Sequence, residues 1–168
     1  MKSVTLFALP LLAACASAAC AQTPPPLSVS LGVFSPTTSD TRHRAGSTLV
    51  LGALRYALPS QAVSTSRTVA EGTAAYGKKG SESSVIVSLT GGQIFSLSSG
   101  KSPLSAQTGY LGLGGGLYGM DLSGRHTFGR VGVYGEAGYN FTQAVFAQVS
   151  YRLVDQGSGA SLALGTRF

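Results

Sequence analysis

Apolar and polar residues alternate with a period of two along most of the chain from residue 27 onward. Over 144–154, Val145, Ala147, Val149, Tyr151 and Leu153 fall on one face; Phe146, Gln148, Ser150 and Arg152 fall on the other. Over 130–141, Val131, Val133, Ala137, Tyr139 and Phe141 oppose Gly132, Tyr134, Glu136, Gly138 and Asn140. Leu162, Leu164 and Phe168 oppose Ser161, Ala163, Gly165 and Arg167 at the end of the chain. The same pattern runs through 27–34, 50–58, 83–90 and 110–118, with Leu31, Leu54, Leu111 and Leu113 among the apolar positions. Successive strand side chains point to opposite faces, so each segment reads as a two-faced strand. The stretch 62–76 alternates poorly and is assigned as a strand because an even meander needs one there. That makes eight strands.

Turn residues separate them. Short connections fall at Pro59-Ser60-Gln61 and Asn140-Phe141-Thr142-Gln143, and the segments 35–46, 77–82, 119–127 and 155–159 form the connections at the opposite end. The stretch 96–107 is a long connection. No run of 18 apolar residues occurs after the first 21, which excludes a spanning helix there.

Composition decides which face points outward. Only 11% of the 168 residues are charged, against roughly 25% in an ordinary soluble domain. Glycine occurs 23 times, roughly twice its usual share. A soluble barrel turns its apolar face inward and covers its outside with charge, whereas a membrane barrel turns its apolar face to lipid. The non-apolar faces here are mostly Ser, Gly and Ala, with few of the charges that a water-facing surface carries. The expectation is an all-β, eight-stranded antiparallel up-and-down transmembrane β-barrel over 27–168. Its lipid-facing residues are Leu31, Leu54, Leu111, Leu113, Val133, Val149, Leu162 and Leu164. Tyr56, Tyr139, Phe141 and Phe168 fall near one set of strand ends, as an aromatic girdle does.

The N-terminus carries Lys2, then an apolar run over 4–14, then small residues, which reads as a secretory signal over 1–21. Residues 22–26 form a Pro-rich lead-in. Cleavage after Ala21 removes Cys15 and Cys20 and leaves no thiol for a disulfide or a metal site. Leu12-Ala13-Ala14-Cys15 also resembles a lipobox, which would lipidate Cys15 instead. The full chain carries 12 Lys+Arg and 6 Asp+Glu, a formal +6. The cations are scattered rather than gathered in an aromatic-interleaved stripe, which argues against nucleic acid as a partner.

The C-terminal Ser161-Leu162-Ala163-Leu164-Gly165-Thr166-Arg167-Phe168 resembles the sorting signal of bacterial outer-membrane barrels, which ends in an aromatic residue. Together with Gly138-Tyr139-Asn140-Phe141 and Val149-Ser150-Tyr151-Arg152-Leu153, it resembles the eight-stranded OmpA/OmpX-like barrels. In that family an aromatic usually stands where this chain has Thr166, and a glycine where it has Ala163. The resemblance implies an outer-membrane location, outer-membrane lipid as surroundings, insertion by a barrel-assembly machinery, and no conserved catalytic chemistry; no metal site or cofactor is expected from the residues. It leaves any surface ligand unnamed. An even number of strands places both termini on the periplasmic side.

An eight-stranded barrel is filled by its own side chains, which excludes a large-solute porin. By parity the interior holds Arg55, Tyr110, Tyr134, Glu136, Gln148, Arg152 and Arg167, with Phe34, Tyr118 and Phe146 set against the glycines. A tight turn at Asn140 places Glu136 opposite Gln148. Glu136 reads as the one acid well inside a strand, and an unpaired buried charge is costly. The expected partner is Arg167 or Arg55.

Candidate chemistry is sparse. Gly114-Gly115-Gly116-Leu117-Tyr118-Gly119 matches a dinucleotide fingerprint in letters, but no helix pattern follows it. Residues 72–79 approach a P-loop, with Lys79 where Ser or Thr must reach Mg²⁺. His43 and His126 fall in loops, and neither forms a His-x-Ser pair. The basic loop residues Arg42, Arg44, Lys78, Lys79 and Arg125 could meet anionic headgroups or saccharide. The leading expectation is a non-catalytic structural or surface-interaction barrel. The alternatives are a narrow pore for ions or very small solutes, a lipid-modifying enzyme, and a soluble or lipid-anchored β-barrel ligand binder.

Overall fold

The computed structural model describes residues 26–59, 64–122 and 125–168. The expected signal over 1–21, with its alternative lipidation at Cys15, and most of the lead-in lie outside the described residues.

Eight strands close into one barrel in chain order, each antiparallel to its neighbours, with β8 returning to β1. They are β1 (Leu27–Pro36), β2 (Leu49–Ala57), β3 (Ser66–Lys79), β4 (Glu82–Ser96), β5 (Thr108–Leu122), β6 (Arg125–Asn140), β7 (Val145–Leu153) and β8 (Gly159–Arg167). Closure leaves the paired stretches without an open edge. A short helix α1 (Ser39–Ala45) joins β1 to β2, and a 3-10 turn (Asp155–Gly157) joins β7 to β8. These connections lie at the helix end of the barrel; the first residues of β1 and the last of β8 lie at the termini end.

Strand heights are unequal. β3 to β6 run 14 to 16 residues, whereas β1, β2, β7 and β8 run 9 or 10. This corrects the expectation of a loop over 119–127. β5 continues to Leu122 and β6 resumes at Arg125, with a register shift between Tyr118 and Met120. Phe128 sits beside that shift, and a Cβ added at Gly119 would meet its ring at 2.7 Å.

Of the weak segment 62–76, residues 66–76 fall in β3, whose burial alternates strictly from Arg67 to Gly77; residues 60–63, which include the segment's start and part of the expected Pro59-Ser60-Gln61 connection, lie outside the described residues. Its inward residues include Arg67, Glu71 and Thr73, and its outward residues include the small Ala70, Gly72 and Ala74 beside Thr68 and Tyr76. Polarity alone therefore hides the two faces. The β6–β7 register also differs from the tight-turn expectation. Glu136 pairs with Ser150, and Gly138 with Gln148. The turn is wider because Phe141 N–H and Thr142 N–H both donate to the Val145 carbonyl, at 3.0 and 3.3 Å.

The lumen core has two apolar clusters. At the helix end, Phe34, Leu49, Leu51, Ala75, Ile86, Met120 and Leu122 pack with Ala45 of α1. α1 is held over this mouth by Thr38 and Thr41, whose hydroxyls donate to the Gln156 carbonyl, and by Lys79 Nζ, which donates to the His43 carbonyl at 2.7 Å. Gly46 ends the helix at φ +91°, a conformation that disfavours residues with a Cβ. At the termini end, Ala57, Val69, Ile94 and Tyr110 pack around Leu104, which the long 97–107 connection delivers. Fully burying a side chain such as Leu104 contributes about 1.5–3 kcal/mol.

Candidate functional site

Between the two apolar clusters the lumen is polar and charged. Parity along β2, β3 and β6 aims Arg55, Glu71 and Glu136 inward, and all three are buried. Arg55 Nη1 and Nη2 donate to Glu136 Oε1 and Oε2 at 3.0 and 2.5 Å, a two-pronged pair reaching across the barrel. Arg55 Nε donates to Glu71 Oε2 at 2.8 Å. A planar guanidinium suits this task, because its fixed fork serves two carboxylates at once.

Arg152 lies nearby on β7. Its Nη1 donates to Thr73 Oγ1 at 2.9 Å, Thr73 shares a 2.7 Å hydrogen bond with Ser88 Oγ, and the guanidinium rests 5.6 Å from the Phe34 ring centre. Arg55 and Arg152 match Glu71 and Glu136 in formal charge at this level, while the buried Arg67 and Arg167 add two further cations toward the termini end. Local matching matters because desolvating an unmatched ion costs several kcal/mol. Ser150 and Ser161 share a 2.6 Å hydrogen bond on the facing wall.

Rings fill the rest. Tyr134 lies across Gly114, where an added Cβ would come 2.7 Å from its Cζ; Tyr110 covers Gly138, and Phe146 covers Gly165. Tyr110 O–H donates to Gln148 Oε1 at 3.4 Å.

The termini-end mouth is closed by the 97–107 connection and a latch. Asn140 is fully buried (0% exposed) and its Nδ2 donates to the Pro103 and Ser105 carbonyls at 2.8 and 3.0 Å. Its Oδ1 accepts from Arg167 Nη2 at 2.7 Å, and Arg167 stacks 4.5 Å from the Phe146 ring centre.

The predicted interior residues Arg55, Tyr110, Tyr134, Glu136, Gln148, Arg152 and Arg167 are all buried. Of the two partners weighed for Glu136, the structure selects Arg55. Arg167 belongs to the Asn140 latch instead. Glu136 is also not the one interior acid: Glu71 shares its cation. Glu71, Thr73 and the latch residue Asn140 were not anticipated as a group. The inward parity of β3 is the signal for the first two; parity on β6 also turns Asn140 inward, but its latch role has no local signal, since it joins two backbone carbonyls of the 97–107 connection to the Arg167 side chain of β8.

The outer wall is apolar. Leu31, Leu54, Leu111, Leu113, Val133, Val149, Leu162 and Leu164 are all exposed on it. Tyr56, Tyr139, Phe141 and Phe168 are exposed at the termini end, with the Tyr139 and Phe141 rings edge to face at 5.4 Å.

No family model matches this chain, and no curated protein does. A solved structure does. The chain resembles Neisserial surface protein A (NspA) at a TM-score of 0.60 and 17% identity, over 87% of this chain and 98% of that one. The fold is shared. At this identity the likeness speaks for the barrel and not for any ligand.

Among the loop candidates, His126 Nδ1 lies 3.4 Å from Asp121 Oδ2 on the exposed β5–β6 hairpin. Arg44 pairs with Asp40 at 3.1 Å within α1, while Arg42, His43, Lys78 and Lys79 are exposed at the same end. The Arg125 side chain lies outside the described residues. The Gly114–Gly119 run falls within β5, so it opens no helix.

Proposed function

We propose that this chain is an outer-membrane β-barrel of OmpA/OmpX-like design with a non-catalytic structural or surface-interaction role. One observation carries the reading: polarity is inverted between wall and lumen. Leu31, Leu113 and Leu164 are 59%, 68% and 63% exposed on the wall, while six Arg and Glu side chains are buried inside. In water this arrangement would expose a continuous apolar surface far larger than a soluble monomer carries. In a bilayer it is favourable, since lipid solvates the wall and barrel closure pairs the strand backbones with one another. The partners are then outer-membrane lipid and, during insertion, a barrel-assembly machinery. The aromatics at the termini end would lie at the periplasmic interface.

Of the alternatives, a narrow pore is opposed by the apolar clusters at both mouths. A lipid-modifying enzyme using His126 is not favoured by its setting, an exposed hairpin pair with Asp121. A soluble barrel is opposed by the exposed leucines. Heat-dependent gel migration of the detergent-solubilised protein, combined with cell fractionation, tests the proposal. The expected result is recovery with the outer membrane and a shift between heated and unheated samples. Full solubility without detergent and unshifted migration would overturn it.

A further inference from the structure

The outer wall is not smooth. Outward residues of β6, β7, β8 and β1 line a shallow, open apolar groove of about 540 Å³. Two register rows cross it. Nearer the helix end run Gly135, Tyr151, Ala160 and Ser35; one step toward the termini run Ala137, Val149, Leu162 and Val33. Gly135, Ala137 and Ala160 leave the floor low. Tyr151 does the opposite. Its hydroxyl lies 3.2 Å from Thr37 Oγ1, so this β7 side chain reaches past β8, over Ala160, to the end of β1. The phenol thus bounds the groove on its helix-end side with a polar tip.

We propose that this groove holds one fatty-acyl chain of a phosphate-bearing lipid from the leaflet at the helix end; the inference rests on the membrane reading above. A shallow apolar trough continuous with a lipid-facing wall suits a methylene chain, and a flexible chain gains dispersion contacts by filling low ground between taller side chains. The chain's polar end is provided for. The hydroxyls of Tyr151 and Thr37 stand at the rim, and at the helix-end lip of β6 the half-exposed Arg130 faces Asp155 of the β7–β8 turn at 3.7 Å, a loose pairing from which a phosphate can recruit the cation. Tyrosines favour such a boundary because one end is apolar and the other wet.

The test uses the full folded barrel in detergent, dipalmitoyl phosphatidylglycerol as probe, and native mass spectrometry as readout. One lipid adduct is expected to survive on the wild-type protein. Ala160→Leu fills the groove and should lower the bound fraction about tenfold. Ala74→Leu makes the same change on the opposite side of the barrel, on exposed β3, and should leave it unchanged. Should Ala160→Leu fail to fold, judged by loss of heat-dependent migration, Ala137→Leu fills the groove from β6. Arg130→Gln should weaken phosphatidylglycerol and leave diacylglycerol unaffected. Equal retention by Ala160→Leu and Ala74→Leu, or a heat-shifting barrel that keeps no lipid, overturns the inference alone. A wild-type protein that is soluble without detergent overturns the membrane reading and this inference with it.

Discussion

Arg55 serves two carboxylates with one guanidinium, so the three charges are unequal in what their loss costs. Removing Arg55 leaves Glu71 and Glu136 buried without their shared cation. Arg55→Ala is expected to cost about 3–5 kcal/mol, the range for breaking a buried pair from one side. Glu71→Gln keeps a hydrogen-bond acceptor for Nε and leaves the two-pronged pair to Glu136 intact, so its cost should stay near 1 kcal/mol. Urea unfolding of the vesicle-inserted barrel measures both, and equal costs would contradict the shared-cation geometry. The Arg55–Glu136 half of this cluster was legible from parity, because β2 and β6 alternate cleanly around both residues. Glu71 was not. Its strand carries Arg67, Glu71 and Thr73 inward and Ala70, Gly72 and Ala74 outward, and no hydropathy contrast separates charged from small when neither face is strongly apolar. The signal was position, and position became available only once the strand was paired.

At the scale of elements, the long 97–107 connection behaves as a folded plug rather than a slack loop. Leu104 is 3% exposed within the lumen cluster, and the backbone around it is fastened to β6 by Asn140. Asn140→Ala removes both donations and also leaves Arg167 without its side-chain acceptor there. The plug should loosen by about 1–3 kcal/mol, the cost of stranding buried polar groups. Lys101 lies exposed in this connection, so trypsin should cut after it faster in Asn140→Ala than in the parent barrel. Unchanged cutting would show that Leu104 packing alone holds the plug. This element was legible only as a length. A plug has no period, and its contacts run from main-chain carbonyls to a residue far along the chain. The strands fared better because a period of two reports which face each residue takes. Their boundaries did less well where β5 and β6 outgrow the others, since the alternation is interrupted by the register shift at Tyr118 and Met120.

For the whole molecule, closure and polarity inversion were readable together. Low charge and high glycine name an apolar surroundings and a crowded interior, and alternation distributes them between wall and lumen. Whether such a barrel conducts depends on groups outside the alternation. Leu104 at one mouth and Ala45 at the other both arrive from connections, and each completes an apolar cluster that strand residues begin. Water and ions would have to pass both clusters and the Arg55 ion pairs between them. An apolar constriction opposes passage by dewetting, and a paired charge cluster adds steric closure. The wild-type barrel should therefore be silent in planar bilayers at high protein load. Deleting 98–106 opens the termini-end mouth but leaves Phe34, Leu49, Leu51, Ile86, Met120 and Leu122 packed under α1, so this variant should be silent too. Steps should appear only when the deletion is combined with Leu49→Ser and Met120→Ser, which wet the second cluster. Conductance steps in the single deletion would mean that the helix-end cluster does not seal. Silence in the combined variant, with the barrel still heat-shifting, would place the barrier at the Arg55 cluster itself.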